Sequence, residues 1–473
     1  MSLTIPWTVS EILDATEGTL MTGNRKKMFT GVSIDSRTVS EADVFVAIRG
    51  EKHDGHHFIP DIVQKGVNGF VVSKSEAGVF AHNYEDFRKL VFITVEDTTK
   101  ALGDMASFNR KRSKILVIGI TGSNGKTTTR KMTAAVVRRR FSTLESHGNF
   151  NNQIGLPLTL LNLTSQHNCA VLEMGANHPG EIAYLAGICR PDIGVITNVG
   201  PAHLEGFGSL DGVASAKGEL LDHMSLNGVA VLNAEDKRVV SMASKAPGKV
   251  LFYGTSKNAN IRASNIVEQK RGTSFTLELP DEQITIYVKI PGSFMVLNAL
   301  AAASVGYQLG LNAAEIKLAL ENDFEPAQAR MNILETQNGI HVIDDTYNAN
   351  PGSMEEALKT LKSLREKHRS VFVAGDMLEL GEHAAVLHEK IGRIAADIKV
   401  SRLYVAGSHA GNVAEGAEAA GMPKENIFLG TKEQILSDLK GWLEEGDWVL
   451  IKGSRGMGME QIVKGLKQNK GQP

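Results

Sequence analysis

The sequence predicts an α/β protein of three domains. Three observations carry this: a length of 473 residues, strand-like and helix-like segments that alternate from residue 115 onward, and a glycine-rich strand-to-helix turn at residues 115–128, ILVIGITGSNGKTT. At ~150 residues per domain, the chain holds about three cores. Short apolar runs separated by helical patterns read as doubly wound parallel sheets, whose ligands gather beyond the carboxyl ends of the strands. The predicted divisions are a small α/β module (1–95), a central phosphate-loop domain with a doubly wound parallel sheet (96–328) and a Rossmann-like α/β domain (329–473).

Composition narrows the function classes. A net charge of −2 asks for neither nucleic acid nor membrane, so an anionic ligand must be held by local positive groups. Cys169 and Cys189 both sit in apolar surroundings. They fit a reducing compartment, exclude a disulfide framework and make zinc improbable. The N-terminal MSLTIPWTVSEIL lacks the basic start and apolar core of a leader, and no run of about 18 apolar residues occurs. The expectation is a cytoplasmic protein without a membrane span.

In residues 1–95, segments 43–50 and 69–73 read as strands, with a helix over about 57–65 between them. IDSR (34–37) and FVAIRGEKHDGHHFI (45–59) put hydroxyl, cationic and imidazole groups beside strand ends. Ser36 and Arg37 there suit an anionic or nucleotide-like ligand, and suit solvated turns equally well. The histidines lack a clean metal-ligand spacing. Residues 96–112 read as an amphipathic helix leading to the central strand.

That strand is apolar and β-branched, as a strand covered on both faces should be. Gly122 and Gly125 allow a sharp turn, so that successive amides converge where a helix starts near Lys126 and a polyphosphate can sit. Lys126 reaches for terminal phosphates, and Thr127 offers a hydroxyl to magnesium. The strict motif G-x-x-x-x-G-K-[ST] wants glycine where Ile120 stands, so the shorter T-G-x-x-G-K-T remains. Further strands are read at 169–174, 193–199, 228–233 and 249–254. Glu173 ends the first of these and His203 follows the second; both can ligate magnesium, or serve as a salt-bridge partner and a packed histidine. Lys217, in SAKGEL, reads from spacing as a solvated helix lysine; beside cations it needs a counter-charge or conversion to a carbamate. Segment 261–290 reads as a β-hairpin, followed by a long apolar helix. Asn298, early in that helix, suits a local cap or an adenine edge.

Residues 341–346, 370–375, 402–407, 426–430 and 447–453 form the strands of a second doubly wound unit. Arg330 at the junction can reach the phosphates as a mobile cation. With Asp345 and Lys452 also brought over a nucleotide, closure during turnover follows; ordinary loop charges are the bland alternative.

Together these motifs are more specific than any one. DSR and FVAIRGEKHDGHHF, then TGSNGKTT, GNFNNQIGLP, EMGANHPGEI, NVGPAHLEGFGS and AKGEL, then DDTYNANPGSM, GDMLELG and KGSRGMGM follow in order. The chain resembles, along its whole length, the ATP-dependent Mur ligases of bacterial cell-wall synthesis, and among them the type that joins D-alanyl-D-alanine to UDP-N-acetylmuramoyl-tripeptide through an acyl phosphate. The resemblance implies uridine-nucleotide contacts at Ser36 and Arg37, and ATP contacts at Gly122, Ser123, Asn124, Gly125, Lys126, Thr127, Thr128, Asn298, Arg330 and Asp345. It implies substrate contacts at Asn152, Asn348, Asn350, Lys452 and Ser454. Two magnesium ions fall to Thr127, Glu173, His203 and Lys217, the last as a carbamate, and the chemistry to Lys126, Lys217, His203 and Arg330. A monomer is implied. The rivals are a diaminopimelate- or lysine-adding relative, whose D-N-P-R motif is lacking here in its diaminopimelate form; a folylpolyglutamate synthase, which lacks the first module; and a phosphate-loop switch protein.

Overall fold

Three large β-sheets, beside a small two-stranded pairing of Trp7–Thr8 with Met28–Phe29, organise the chain, and the computed structural model describes residues 4–83 and 89–467 of it. Met1–Leu3 of the N-terminal stretch weighed as a leader lie outside those residues. Among the described residues no helix is long and apolar enough to cross a membrane.

The first sheet has five strands, in the order Thr19–Thr22, Val91–Val95, Gly69–Ser73, Asp43–Val46 and Gly31–Ser33. All neighbours run parallel except the first pair. The anticipated strand over 43–50 stops at Val46, and the anticipated helix is a 3-10 turn, Gly55–Phe58, followed by Ile59–Gln64. His56 explains the turn: its Nδ1 meets Asp54 (2.5 Å) and its Nε2 accepts the Ser73 N–H (2.9 Å), so the ring is a buried brace.

The central sheet has nine strands. The strand of the phosphate loop, Leu116–Thr121, lies between Cys169–Glu173 on one side and Ile193–Ile196 on the other. All three are parallel, and the register sets Glu173 beside Ile120 and Ile196 beside Thr121. Three strand ends therefore open at one level, which is what builds the site. The Phe294–Gln308 helix packs over this sheet with Lys126–Val137, burying Val296, Ala299, Leu300 and Ala303 against Met132 and Val136.

The segment over 261–290 is not a hairpin but a three-stranded antiparallel meander, Ile261–Gln269, Gly272–Glu278 and Gln283–Val288, that extends the same sheet. Its first strand was hidden in the sequence by a bulge: the register shifts between Ser264 and Val267, with Asn265 at φ 50°, which breaks the two-residue alternation.

The last sheet has six strands, and Trp448–Lys452 is inserted between His341–Asp345 and Ser370–Gly375. That insertion pairs Asp345 with Lys452 across adjacent strands. An antiparallel edge strand, Asn332–Glu335, was not anticipated, because four residues carry too little pattern.

The helix over the phosphate-loop strand depends on apolar packing, so Leu300→Ala is expected to lower the unfolding free energy by ~2–5 kcal/mol. Denaturant titration checks this, and an unchanged midpoint removes the helix from the core.

Candidate active site

A cavity of about 1490 Å³ lies where the three units meet. Its walls include Glu51 from the first unit, Ser123 through Thr128 with Asn152, Glu173, His203 and Asn298 from the second, and Arg330, Asp345, Asn348, Asn350 and Lys452 from the linker and the third. Glu173 and His203 thus face the same opening as the phosphate loop.

The loop itself is shaped by two glycines. Gly122 has φ 144°, and a Cβ there would stand 2.0 Å from Thr197 Oγ1; Gly125 has φ 79°, and a Cβ would stand 2.4 Å from Asn298 Oδ1. Only glycine fits both the backbone and the space. Neighbouring loops then hold the turn. Asn124 N–H donates to Asn198 Oδ1 (2.9 Å), Ser123 Oγ donates to the Gly200 carbonyl (3.0 Å), and Thr197 Oγ1 donates to the Asn124 carbonyl (2.6 Å). Asn298 neither caps its helix nor lies in the open: its Oδ1 accepts from Thr129 Oγ1 (3.1 Å) behind the loop.

Two cations, Lys126 and Arg330, stand at the phosphate loop, while carboxylates such as Glu51, Glu181 and Glu235 line other parts of the cavity. Lys126 Nζ curls back to the carbonyls of Gly122 (2.8 Å) and Ser123 (3.2 Å), and desolvation lowers its pKa, Glu173 opposing and Arg330 adding to the shift. Arg330 Nη2 donates to Thr127 Oγ1 (3.0 Å), while its guanidinium lies 4.1 Å over the Tyr347 ring. Ala329 and Met331, on either side of Arg330, both hold φ 55°. Asp345 supports this strained linker by accepting from the Met331 N–H (3.1 Å) while pairing with Lys452 (2.5 Å). Like charges at 4 Å repel by about 4 kcal/mol at a surface-like dielectric. Lys126 and Arg330, neither of them in a direct ion pair among the described residues, leave the phosphate loop locally positive, which suits a polyanion.

Glu173 closes the opposite side. It is buried, with Oε1 accepting from Asn151 Nδ2 (2.8 Å) and Oε2 near Arg130 Nε (3.4 Å). Arg130 stands one helical turn beyond Lys126, a spacing visible in the sequence but without any sign that the side chain is buried. Lys217 corrects the solvated-helix reading: it is 2 % exposed, with its ammonium 5.3 Å over the Phe207 ring. Among the described residues it makes no ion pair, and burial first, then Lys126, push its pKa down to about 7.

Several expected site residues, the buried Lys217 among them, do not line the cavity. Ser454 lies behind it, donating to the Ala349 carbonyl (3.3 Å). Arg37 is exposed and folded onto its neighbour Asp35 (2.7 Å), and the Ser36 carbonyl accepts from Lys65 (2.9 Å). The third unit rests directly on the phosphate loop, with Asn350 Nδ2 donating to Asn124 Oδ1 (2.7 Å) and Glu379 meeting His203. Glu379 was missed because nothing local distinguishes it within GDMLELGE.

Comparison with known proteins follows the three units. The Mur ligase family catalytic domain matches residues 28–110, the Mur ligase middle domain 120–306 and the Mur ligase glutamate ligase domain 329–455. The chain is 34% identical over 468 residues, 98% of each protein, to UDP-N-acetylmuramoyl-tripeptide–D-alanyl-D-alanine ligase of Escherichia coli (strain K12). Its structure is similar to that of MurF from Acinetobacter baumannii, with a TM-score of 0.89 and 30% identity over 98% of this chain and 100% of that one. It is also similar to MurF ligase from Thermotoga maritima in complex with ADP, with a TM-score of 0.81 and 28% identity over 92% and 97%.

Because Gly122 is pressed against Thr197, Gly122→Ala is expected to cost ~1–3 kcal/mol of stability. Adding Thr197→Ala should recover only part, since the clash goes but the positive φ stays. Full recovery in the double variant, read by denaturant unfolding, would mean that the backbone carries no strain there.

Proposed function

This chain belongs to the Mur ligase family, and we propose that it adds D-alanyl-D-alanine to UDP-N-acetylmuramoyl-tripeptide at the expense of ATP, yielding the pentapeptide nucleotide, ADP and phosphate for peptidoglycan synthesis. One observation carries the reading: a phosphate loop, a set of cations and groups from all three units share one cavity. The relatives named above act on this pair of substrates, and likeness to them extends over nearly the whole chain. A folylpolyglutamate synthase has no counterpart to the first module.

In this reading the loop amides and Lys126 bind the ATP phosphates, with Thr128 inside the helix start and Asn298 and Asp345 toward the nucleoside. Arg330 leaves Thr127 to follow the γ-phosphate. The tripeptide's terminal carboxylate attacks the γ-phosphorus, forming an acyl phosphate as the bond to ADP breaks. The D-alanyl-D-alanine amine then attacks the acyl carbon, loses a proton and expels phosphate. Each step brings negative charges together, so positioning and cationic stabilisation supply the catalysis. No side-chain nucleophile is required. Ser36 and Arg37 remain assigned to the uridine nucleotide, Asn152, Asn348, Asn350 and Lys452 to the peptide ends, and Ser454 to support of the Asn348 loop.

The donor set suits magnesium: a hydroxyl at Thr127, a carboxylate at Glu173 and an imidazole at His203 all face the cavity. No three His, Cys, Asp or Glu side chains form a preformed cage among the described residues. That suits an ion held jointly by protein and phosphates, the usual arrangement for magnesium. Two such ions would offset the phosphate charge and polarise the phosphoryl oxygens. A buried Lys217 with its pKa pushed down to about 7 supplies a neutral amine, the form that takes up carbon dioxide, and the resulting carbamate would bring a negative charge near Lys126. Its two buried free cysteines fit the cytoplasm.

ADP release is expected only when UDP-N-acetylmuramoyl-tripeptide and D-alanyl-D-alanine are both present. Equal turnover with a folate and glutamate defeats the assignment. Lys126→Ala should lower turnover by roughly 10²–10³-fold in a folded protein. Lys217→Ala should lose most activity and regain part of it with added short-chain carboxylates; unchanged activity without them rules out a carbamate role.

A further inference from the structure

Glu379 belongs to the loop after the Ser370–Gly375 strand of the third unit, yet its side chain meets His203 of the central unit. Its carboxylate accepts from His203 Nδ1, and the Glu205 backbone N–H donates to the Glu379 carbonyl (3.2 Å). Both partners hold left-handed backbone, φ 54° at His203 and 63° at Glu379. Side chains other than glycine seldom adopt that region, and where they do the surrounding structure must hold them. Two such residues face each other across a domain boundary and are closed by two hydrogen bonds. This is a built contact rather than a chance approach of surface loops.

The contact has a chemical consequence. An imidazole that gives its Nδ1–H to a carboxylate presents Nε2 as the lone-pair nitrogen, the tautomer a metal ligand needs. His203 lines the cavity, so Nε2 is the nitrogen left to face it. We propose that Glu379 is a positioning residue: it sets His203 Nε2 as a cation ligand, and does so only while the third unit is docked. Docking thereby assembles the cation site from two domains. The ligase reading supplies the cation's role, and the geometry stands without it.

The test uses Mn²⁺ titrated into the full-length protein with ADP and followed by electron paramagnetic resonance. Glu379→Asn keeps a residue type at home in left-handed backbone but is one methylene shorter. Glu379→Gln keeps both the reach and an acceptor oxygen. Glu379→Asn is expected to weaken one Mn²⁺ site by roughly 10–100-fold, as loss of an outer hydrogen-bond acceptor does, and to leave the other unchanged. Glu379→Gln should stay close to wild type, and His203→Ala should lose the same site. Wild-type Mn²⁺ binding in Glu379→Asn overturns the proposal, as does equal weakening of both sites or the same loss in Glu379→Gln. Turnover of the wild-type protein with its two peptide substrates is measured separately. Its absence removes the ligase reading and leaves the Mn²⁺ comparison intact.

Discussion

Parallel pairing of three strands is the constraint on which the rest of this structure depends. Leu116–Thr121 lies between Cys169–Glu173 and Ile193–Ile196, all buried on both faces and in a register that aligns their carboxyl ends. A slip of one residue would turn every side chain to the other face. Glu173 would then leave the cavity, and the loop from Thr197 to Gly200 would no longer reach the Ser123–Asn124 turn. Burial of the apolar strands therefore sets the site's geometry before any polar group contributes.

Onto that frame the chain places basic groups close to the phosphate loop that make few direct ion pairs of their own. Lys126, Arg330 and Lys217 converge with few counter-charges of their own: Lys126 leans on carbonyls, Arg330 on a hydroxyl and a tyrosine ring, and Lys217 on a phenylalanine ring. Folding alone gains nothing from such crowding. A polyanion resolves it, which is why the site reads as a place where phosphate groups are held and transferred. The strained linker around Arg330 and the contacts of Asn350 and Glu379 show how the third unit is brought over that charge.

Local patterns were legible wherever one segment carries its own signal. The phosphate loop, the Glu173 strand end and the strands of the last unit needed only apolar runs, glycines and a Lys-Thr pair. The Ile261–Gln269 strand was not legible, because a bulge breaks its alternation, and neither was Asn332–Glu335, which is too short to show one. Asn298 does not cap its helix, and its hydrogen-bond partner Thr129 is far away in sequence, which no local pattern shows. Lys217 read as a solvated residue because helical spacing does not report what packs over a helix.

By itself the sequence determined the α/β class, the division into three sheets' worth of strands, and the chemistry of the loop at Gly122–Thr128, since each follows from neighbours along the chain. Tertiary structure alone decided that Asp345 pairs with Lys452, that Arg130 buttresses Glu173, that Lys217 is buried without an ion pair and that Glu379 reaches His203. The physical reason is common to all four. Strand order and domain docking bring together residues that are tens to hundreds of positions apart, and no short-range pattern encodes that order.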